Sequence, residues 1–205
     1  MGRPRSFDTD QVLAQAMEKF WAHGYEATGV QALCEATGLN AGSIYAAFGD
    51  KRGLFIAALK QYMNVVSTEA IERLNRSPSG LAAIKNYFKA LVDGMVDGKR
   101  QWGCLVTNSV VEFALRDPEI AEAFRIHLAR LEAAFAGAIA RARHVDEISS
   151  GLSTRELALF LSCTVQGMNV LAKTRPGRAD LESVVRTALA CLGAGDGSSG
   201  TSSMH

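Results

Sequence analysis

Residues 28–50 decide the fold of this chain, and they read TGVQALCEATGLNAGSIYAAFGD. Gly38 interrupts the apolar pattern near the middle of the stretch, and glycine is favoured where a helix ends in a left-handed residue. The stretch therefore predicts one short helix before Gly38 and another over 41–47, with Asn40 as its N-cap. Two short helices joined by a turn that contains glycine are typical of a helix-turn-helix.

Longer helices are predicted on both sides of this stretch. Asp8 can cap a first helix, whose apolar side chains recur at helical spacing until Gly24 ends it. Asp50 can cap a fourth helix that runs towards Arg76, where the Ser-Pro-Ser-Gly segment at 77–80 breaks it. The helix-turn-helix is thus predicted to lie inside a helical N-terminal domain.

Capping signals divide the rest of the chain into further helices. Asp117 followed by Pro118 predicts the start of a long helix. Ser153 and Glu156 form a capping box that opens another helix, and Asp180 can cap the last one. The sequence therefore predicts an all-α protein of about nine helices.

Helix order and composition predict two domains and a tail. The N-terminal domain, at residues 6–66, contains the three-helix helix-turn-helix unit, and a larger helical domain takes residues 67–194. Residues 195–205 are rich in Gly and Ser, a composition that predicts a disordered tail.

The composition excludes several classes of protein. The net charge is +1, so any basic surface for nucleic acid must be local. The four cysteines are far apart and lack ligand-like spacing, which predicts reduced thiols rather than disulfides or a metal site. The sequence has neither a signal peptide nor an apolar run long enough to span a membrane, so we expect a cytoplasmic protein.

The sequence carries no catalytic motif. HExxH, a nucleophile elbow, a Gly-rich phosphate loop and a metal-spaced His/Cys cluster are all absent. We therefore predict no enzymatic activity, no catalytic residues and no cofactor. A small helical enzyme is the competing hypothesis, and turnover of a small molecule by the pure protein would support it.

The third predicted helix has very small side chains on one side. At about 100° per residue, Ile44 faces inward, whereas Gly42, Ser43 and Ala46 point the opposite way. Tyr45 lies at the edge between the two faces. A short helix with small outward residues can approach the floor of the major groove closely. A tight contact between two helices is the alternative explanation.

The candidate contacts with double-stranded DNA extend to both sides of this helix. Ser43 is placed to contact a base edge, and Tyr45 and Lys51 can contact the phosphate backbone. Thr28 is predicted to cap the start of the second helix, and its hydroxyl can bind a phosphate. A basic arm at residues 2–5 suits an A·T-rich minor groove. The candidate DNA-binding residues are Arg3, Arg5, Thr28, Asn40, Ala41, Gly42, Ser43, Tyr45, Ala46 and Lys51.

Residues 6–62 resemble the DNA-binding domain of the TetR family of transcriptional regulators. The matching residues are Phe20, Gly24, Tyr25, Thr28, Leu33, Ala36, Gly38, Ser43, Ile44, Tyr45, Phe48, Lys51, Leu54 and Phe55. The resemblance implies a three-helix DNA-reading head, a linking fourth helix and a C-terminal helical domain that dimerises and binds ligands. Asn40, Ala46 and Ala47 differ from the residues common at these positions, which leaves the operator sequence open.

One cysteine is a candidate sensor. The segment at 103–106, GCLV, resembles a motif in a subset of the family, and a cysteine in some such members senses oxidants or electrophiles. Cys104 is predicted to lie in the first turn of a helix, where the helix dipole favours the thiolate. The alternative is that Cys104 is a small buried hydrophobe, as free cysteines commonly are. The other three cysteines lie on apolar helix faces and are predicted to be packing residues.

A cavity for an unidentified small-molecule effector is expected in the C-terminal domain. Glu112 is the most suggestive candidate, because an ionised carboxylate is rarely buried without a partner. Each candidate can instead face solvent or a neighbouring helix. The candidate effector residues, besides Cys104, are Tyr87, Trp102, Asn108, Glu112, His127, Gln166 and Asn169.

The last two helices are apolar over broad arcs and predict a homodimer. Pairing with the same helices of a second copy forms a four-helix interface, whereas burial within one chain is the alternative. A two-fold dimer places two recognition helices in successive major grooves, about 34–36 Å apart. The sequence therefore predicts a repressor that a ligand or thiol modification releases from a pseudo-palindromic operator. A ligand-free architectural DNA-binding protein is the other alternative.

Overall fold

The computed structural model describes residues 7–98, 101–113 and 116–193, and over these ranges the chain forms nine helices and no strand. This confirms the predicted all-α fold. The helices are α1 (Thr9–His23), α2 (Val30–Thr37), α3 (Ala41–Phe48), α4 (Lys51–Tyr62, a π-helical turn Met63–Ser67, then Thr68–Asn75), α5 (Gly80–Val96), α6 (Leu105–Phe113), α7 (Pro118–His144), α8 (Thr154–Leu171, then a 3₁₀ turn Ala172–Thr174) and α9 (Arg178–Ala190). Arg3, Arg5 and the tail at 195–205 lie outside the described residues.

Most helices begin where the capping residues predict. The carboxylate of Asp8 accepts the backbone N–H of Asp10 at 2.9 Å, and the carboxylate of Asp50 accepts that of Gly53 at 2.7 Å. The side-chain oxygen of Asn40 accepts the backbone N–H of Ser43 at 2.8 Å. These bonds satisfy N–H groups that have no partner inside the helix.

Two helix starts differ from the prediction. Helix α2 begins after Gly29, with no side-chain hydrogen bond at its N-cap. Helix α9 begins at Arg178 after Gly177, so Asp180 lies in the first turn instead of capping the helix. An acidic residue in the first turn still interacts favourably with the helix dipole, which explains why the sequence signal lay so close to the true start.

Helix α4 joins the two halves of the molecule through its π-helical turn. The hydroxyl of Thr68 donates to the carbonyl of Met63 at 3.1 Å, across the turn. Arg130 of α7 donates to the same hydroxyl at 2.8 Å. The predicted domain boundary between residues 66 and 67 falls inside this turn. A π-helical turn locally changes the winding of a helix, so α4 is not a uniform rod between the two halves.

Two apolar clusters form the interior. The first, which we call the head cluster, joins α1 to α4 and includes Phe20, Ile44 and Phe55. The second lies among the C-terminal end of α4 and helices α5, α7, α8 and α9. Leu105 and Val106, at the start of α6, belong to the head cluster although they follow it far along the chain. The C-terminal half is thus packed directly into the core of the N-terminal half.

Candidate DNA interface and candidate effector site

Helix α3 exposes the side that the sequence predicts for DNA. Ile44 is only 1% exposed, whereas Tyr45 is 43% exposed. Gly42 and Ala46 are exposed, and Ser43 is partly buried at the start of the same surface. The result is a shallow, nearly uncharged surface whose backbone can approach another molecule closely.

The predicted flanking residues lie beside this surface. The Lys51 ammonium lies 4.2 Å from the centre of the Tyr25 ring, a cation–π contact that holds it next to Tyr45 in one groove. Asn40 is exposed, but its side-chain oxygen is occupied by the cap of α3. Ala41 is partly buried in the first turn. These side chains surround the α3 surface from both ends.

Thr28 requires a correction. Its side chain is 2% exposed, and its hydroxyl donates to the carbonyl of Gly24 at 2.5 Å. The hydroxyl therefore closes the turn between α1 and α2 and is not available to a phosphate. The sequence suggested a cap because threonine before a helix is a common N-cap, but Gly29 holds that position instead.

Glu112 also requires a correction. Its carboxylate accepts the backbone N–H groups of Tyr25 at 3.2 Å and Glu26 at 2.9 Å, in the turn that follows α1. The indole N–H of Trp21 donates to the carbonyl of Gly103 at 3.1 Å. We call these contacts the junction, because they join α6 to the N-terminal half. Glu112 is therefore a junction residue, whose carboxylate is occupied by these two bonds.

Three further effector candidates serve local packing. Trp102 packs edge-on against Trp21 with ring centres 5.8 Å apart, beside the junction. The amide of Asn108 donates to the carbonyl of Trp102 at 2.7 Å. Tyr87 packs edge-on against Phe135 at 5.2 Å in the second apolar cluster. Tyr87 and Trp21 also line an open groove between α4 and α5.

Helices α4 and α7 are tied together on the outside of the junction. Arg52 forms a two-pronged ion pair with Asp117, with both N–O distances at 2.9 Å, and a third hydrogen bond to Glu119 at 3.1 Å. Lys60 adds a contact to Glu119 at 3.3 Å. Bidentate arginine–carboxylate pairs are geometrically specific, so this network orients α4 against the first turn of α7.

Cys104 lies at the centre of a buried polar cluster. It is 3% exposed and immediately precedes α6, and the His127 imidazole, the Tyr62 hydroxyl and the backbone N–H of Thr107 lie near its sulfur. Burial raises the pKa of the Cys104 thiol, but the bonds from His127, Thr107 and Tyr62 outweigh it and lower the pKa to about 6. We call these four residues the thiol cluster. The sequence suggested Cys104 and His127 but not Tyr62 or Thr107.

A polar face of α8 lies against this cluster. Ser162, Gln166 and Asn169 recur at helical spacing and share that face. The Thr107 hydroxyl donates to the side-chain oxygen of Gln166 at 2.5 Å. Gly103, which has a positive φ of 73°, packs its α-carbon against the Asn169 backbone so closely that a β-carbon would clash. The structure thus brings Cys104, Gln166 and Asn169 to one place.

Several polar atoms in this region are buried without a hydrogen-bond partner. Among the described residues they include Nδ1 of His127, Oγ of Ser162, Nε2 of Gln166 and Oδ1 of Asn169. Because a buried polar atom without a partner costs free energy, such atoms require an explanation. One such explanation is a bound molecule that supplies the missing hydrogen-bond partners.

The last two helices bury most of their predicted apolar stripe within the chain. Leu157, Leu161 and Leu181 are fully buried in the second apolar cluster. A second stripe faces outward instead and includes Phe160, at 41% exposed, and Val184, at 36%. These helices therefore have one apolar face buried within the chain and a second apolar face that is exposed.

The prediction that the remaining cysteines are packing residues is wrong for two of them. Cys163 on α8 and Cys191 after α9 are exposed in the single chain, whereas Cys34 is partly buried. A helix face that is apolar in sequence can point outward when the opposite face of the helix packs into the core.

The described ranges contain neither a metal cluster nor a membrane-spanning helix. Within residues 7–98, 101–113 and 116–193, no three His, Cys, Asp or Glu side chains group closely enough to hold a metal ion. Each helix in the same ranges is too short or too polar to span a lipid bilayer.

The fold and the exposed surface of α3 define a helical protein with an N-terminal helix-turn-helix. Residues 12–58 match the family described as bacterial regulatory proteins, tetR family. Residues 80–188 match the tetracyclin repressor-like C-terminal domain. The chain belongs to the TetR family of transcriptional regulators.

Similar proteins span nearly the whole chain. The uncharacterized HTH-type transcriptional regulator YezE of Bacillus subtilis is 33% identical over 94% of this chain and 100% of its own length. The HTH-type transcriptional repressor ComR of Escherichia coli is 31% identical over 92% of this chain and 90% of its own.

Solved structures share the fold. A cysteine mutant of the TetR family transcriptional regulator CifR, complexed with 26-bp double-strand operator DNA, is 30% identical, with a TM-score of 0.80 over 92% of this chain and 98% of its own. The reduced form of NemR from E. coli has a TM-score of 0.80 over 91% of this chain and 97% of its own at 17% identity, a likeness of fold alone.

Proposed function

We propose that this protein is a dimeric transcriptional repressor that an effector ligand or thiol modification releases from a pseudo-palindromic DNA operator. The exposed surface of α3 carries the proposal, because its small side chains allow the helix backbone to approach base edges closely. The relative ComR is named a repressor, and the similar CifR structure contains operator DNA.

The contacts follow from exposure and charge. Ser43 and Ala46 meet base edges, Ser43 through its hydroxyl and Ala46 through a thymine methyl group. Tyr45 and Lys51 contact phosphates beside them, which sets the register of α3 in the groove. The basic arm at residues 2–5, which contains Arg3 and Arg5, follows an adjacent minor groove. With no arginine on α3 to read guanine, DNA shape supplies much of the specificity.

The outward stripe of α8 and α9 forms the dimer interface. An apolar groove between the two helices is lined by Phe160, Leu171 and Val184 together with small residues such as Gly167. The same patch on a second copy, related by a two-fold axis, covers both grooves at once. The dimer then presents two α3 helices to two operator half-sites.

Release requires two conformations of different affinity for the effector. An effector shifts the equilibrium only by its differential binding to the two conformations. The junction and the ion pairs of Arg52 connect α6 and α7 to the N-terminal half, so a change at α6 reaches α1 and α4 directly. As a DNA-binding regulator of a bacterial family, the protein is assigned to the cytoplasm, and the absence of enzymatic activity remains a prediction.

Fluorescence anisotropy with the DNA upstream of its own gene tests the proposal. We expect selective binding over a scrambled duplex, with affinity that falls as salt rises because phosphate contacts release counterions. Equal affinity for the scrambled duplex at every salt concentration would contradict a sequence-specific repressor. Analytical ultracentrifugation of the same samples gives the stoichiometry, for which we expect two chains on each operator.

A further inference from the structure

A groove between α5 and α9 lies apart from the proposed DNA and dimer surfaces. Its volume is about 320 Å³, within the range of small-molecule sites. The side chains that α9 contributes recur at helical spacing and share one face; they are Arg178, Glu182, Val185 and Arg186. The outward stripe that contains Val184 lies on another face, so a dimer formed through that stripe leaves this groove open.

The interior of the α5–α9 groove is apolar. Phe88 and Val92 of α5 lie opposite Val185 of α9, and all three belong to or pack against the second apolar cluster. Lys85 and Lys89 also line the groove, and lysine side chains lay their methylene stems along apolar surface while the charge stays in water. An occupant of this groove therefore needs an apolar body.

The charges beside one end of the groove neutralise one another. Asp93 of α5 pairs with Arg178 of α9 at 2.7 Å and with Lys89 at 2.7 Å. Arg178 also lies 3.7 Å from Glu182. Two cations and two carboxylates thus meet here and tie the end of α5 to the start of α9. An additional anion gains little at this end.

The opposite end of the groove is positively charged. Because α9 starts beside the end of α5, its later residues lie beside earlier residues of α5, which brings Arg186 to the end that contains Lys85. Within the described part of the chain, neither side chain forms an ion pair. Two like charges at one end of a groove repel each other, and an anion between them removes that repulsion.

Glu147 lies near these cations but is held elsewhere. The Ser79 side chain and the backbone N–H of Leu81 are the main causes that lower the pKa of Glu147, and the charge of Lys85 adds a smaller effect. The carboxylate accepts the N–H of Leu81 at 3.1 Å. Glu147 therefore stabilises the start of α5 and leaves Lys85 and Arg186 without a paired anion.

We propose that the α5–α9 groove binds an aliphatic monocarboxylate, with the carboxylate between Lys85 and Arg186 and the chain along Phe88, Val92 and Val185. The stretch from Lys85 to Val92 spans about 10 Å of helix, the length of an extended chain of about eight carbons. Arginine binds a carboxylate through two parallel hydrogen bonds, and lysine adds a point charge. The site is separate from the thiol cluster and from the surface of α3, so it does not depend on the proposed function.

Isothermal titration calorimetry of the full-length protein with octanoate tests the proposal. We expect one site per chain. Hexanoate, which has two fewer methylenes, should bind at least about fivefold more weakly, because each buried methylene adds to the hydrophobic gain. Octylamine has the same chain length and a cationic head, and it should bind at least about tenfold more weakly than octanoate. The affinity for octanoate should fall as salt rises.

Two double variants locate the site. Lys85→Gln with Arg186→Gln removes both unpaired cations at exposed positions, and the affinity for octanoate should fall at least about tenfold. Arg155→Gln with Lys173→Gln changes the net charge equally at exposed positions of α8 and should bind octanoate as the wild type does. Circular dichroism checks the fold of both variants. Octanoate should raise the Tm of the wild type and the control, but not that of the Lys85 and Arg186 variant.

Four outcomes would overturn the proposal. Absence of binding at millimolar octanoate would exclude the site, and equal octanoate affinity in the two double variants would place binding elsewhere. Equal affinity for octylamine and octanoate would exclude recognition of the carboxylate. If vesicles that contain phosphatidylglycerol bind the wild type but not the Lys85 and Arg186 variant, while octanoate binds neither, the groove is a surface for anionic lipid. Operator binding is measured separately by anisotropy, so failure of the proposed function would leave these results unchanged.

Discussion

The starts of α3 and α6 are built alike and differ in what surrounds them. In each, the side chain of the residue before the helix lies near an N–H group of the first turn: Asn40 accepts the N–H of Ser43, and the sulfur of Cys104 lies near the N–H of Thr107. The start of α3 is exposed and its cap partner is local. The start of α6 is buried, and the sulfur of Cys104 also lies near His127, from a distant part of the chain. An exposed helix start can contact a second molecule, whereas the properties of a buried one depend on packing within its own chain.

A charge on α3 should have the largest effect. Ala46→Asp places a carboxylate on the surface that faces DNA phosphates, and like charges at an interface cost several kcal/mol. We expect operator affinity to fall at least about a hundredfold with no change in thermal stability, measured by anisotropy and circular dichroism. Ala133→Asp, at an exposed alanine of α7, is the matched control. Equal losses in both variants would mean that α3 is not the DNA surface.

Removing the junction carboxylate should have an intermediate effect. Glu112→Ala leaves the N–H groups of Tyr25 and Glu26 without their acceptor, which costs about 1–2 kcal/mol of unfolding free energy at this partly exposed site. Urea denaturation measures the loss, with Glu18→Ala on the exposed side of α1 as the control. If Glu112→Ala is as stable as the control, the junction does not hold the two halves together.

The buried start of α6 should make the free energy of unfolding depend on pH. The pKa of Cys104 is lowered from 9.0 to about 6 in the folded protein, so the folded state binds fewer protons than the unfolded state between these values. The resulting stabilisation is present above pH 9.0 and is lost as the pH falls towards 6. Relative to Cys104→Ser, we expect the wild type to gain up to about 1 kcal/mol per pH unit over this range.

Urea denaturation of both proteins across that range measures this difference. His127→Gln serves as the second comparison, because it removes the partner that lowers the pKa of Cys104 and should reduce the slope. A constant difference between wild type and Cys104→Ser would show that the thiol stays neutral, and Cys104 would then act as a packing residue. The start of α6 would in that case be a buried helix start without an ionised side chain.

The smallest effect is expected at the edge of the DNA surface. Lys51→Ala removes one phosphate contact, so the slope of log affinity against log salt should decrease by about 1 without loss of sequence preference. Lys85→Ala, on α5 in the C-terminal half, is the control. An unchanged salt slope would assign Lys51 to its cation–π contact with Tyr25 alone.

The comparison also explains where prediction from sequence succeeded. The caps at Asp8, Asn40 and Asp50 were predictable because each acceptor and its N–H lie within three residues. The inward position of Ile44 followed from helical spacing alone. The prediction for Thr28 was wrong for a related reason. A threonine hydroxyl before a helix can bond either an N–H group of that helix or a carbonyl of the preceding turn. Only the geometry of the turn selects the carbonyl of Gly24.

The amino-acid sequence by itself determined the nine helices of the described residues, most of their ends and the outward face of α3. Only the tertiary structure decided that Glu112 holds the turn after α1, and that Cys104 meets Tyr62 and His127. Helix starts depend on hydrogen bonds between near neighbours, which a sequence displays directly. Burial, desolvation and the pKa of a thiol depend on which distant segments pack together. Helical spacing shows which face of a helix is apolar, but it does not show which segment packs against that face.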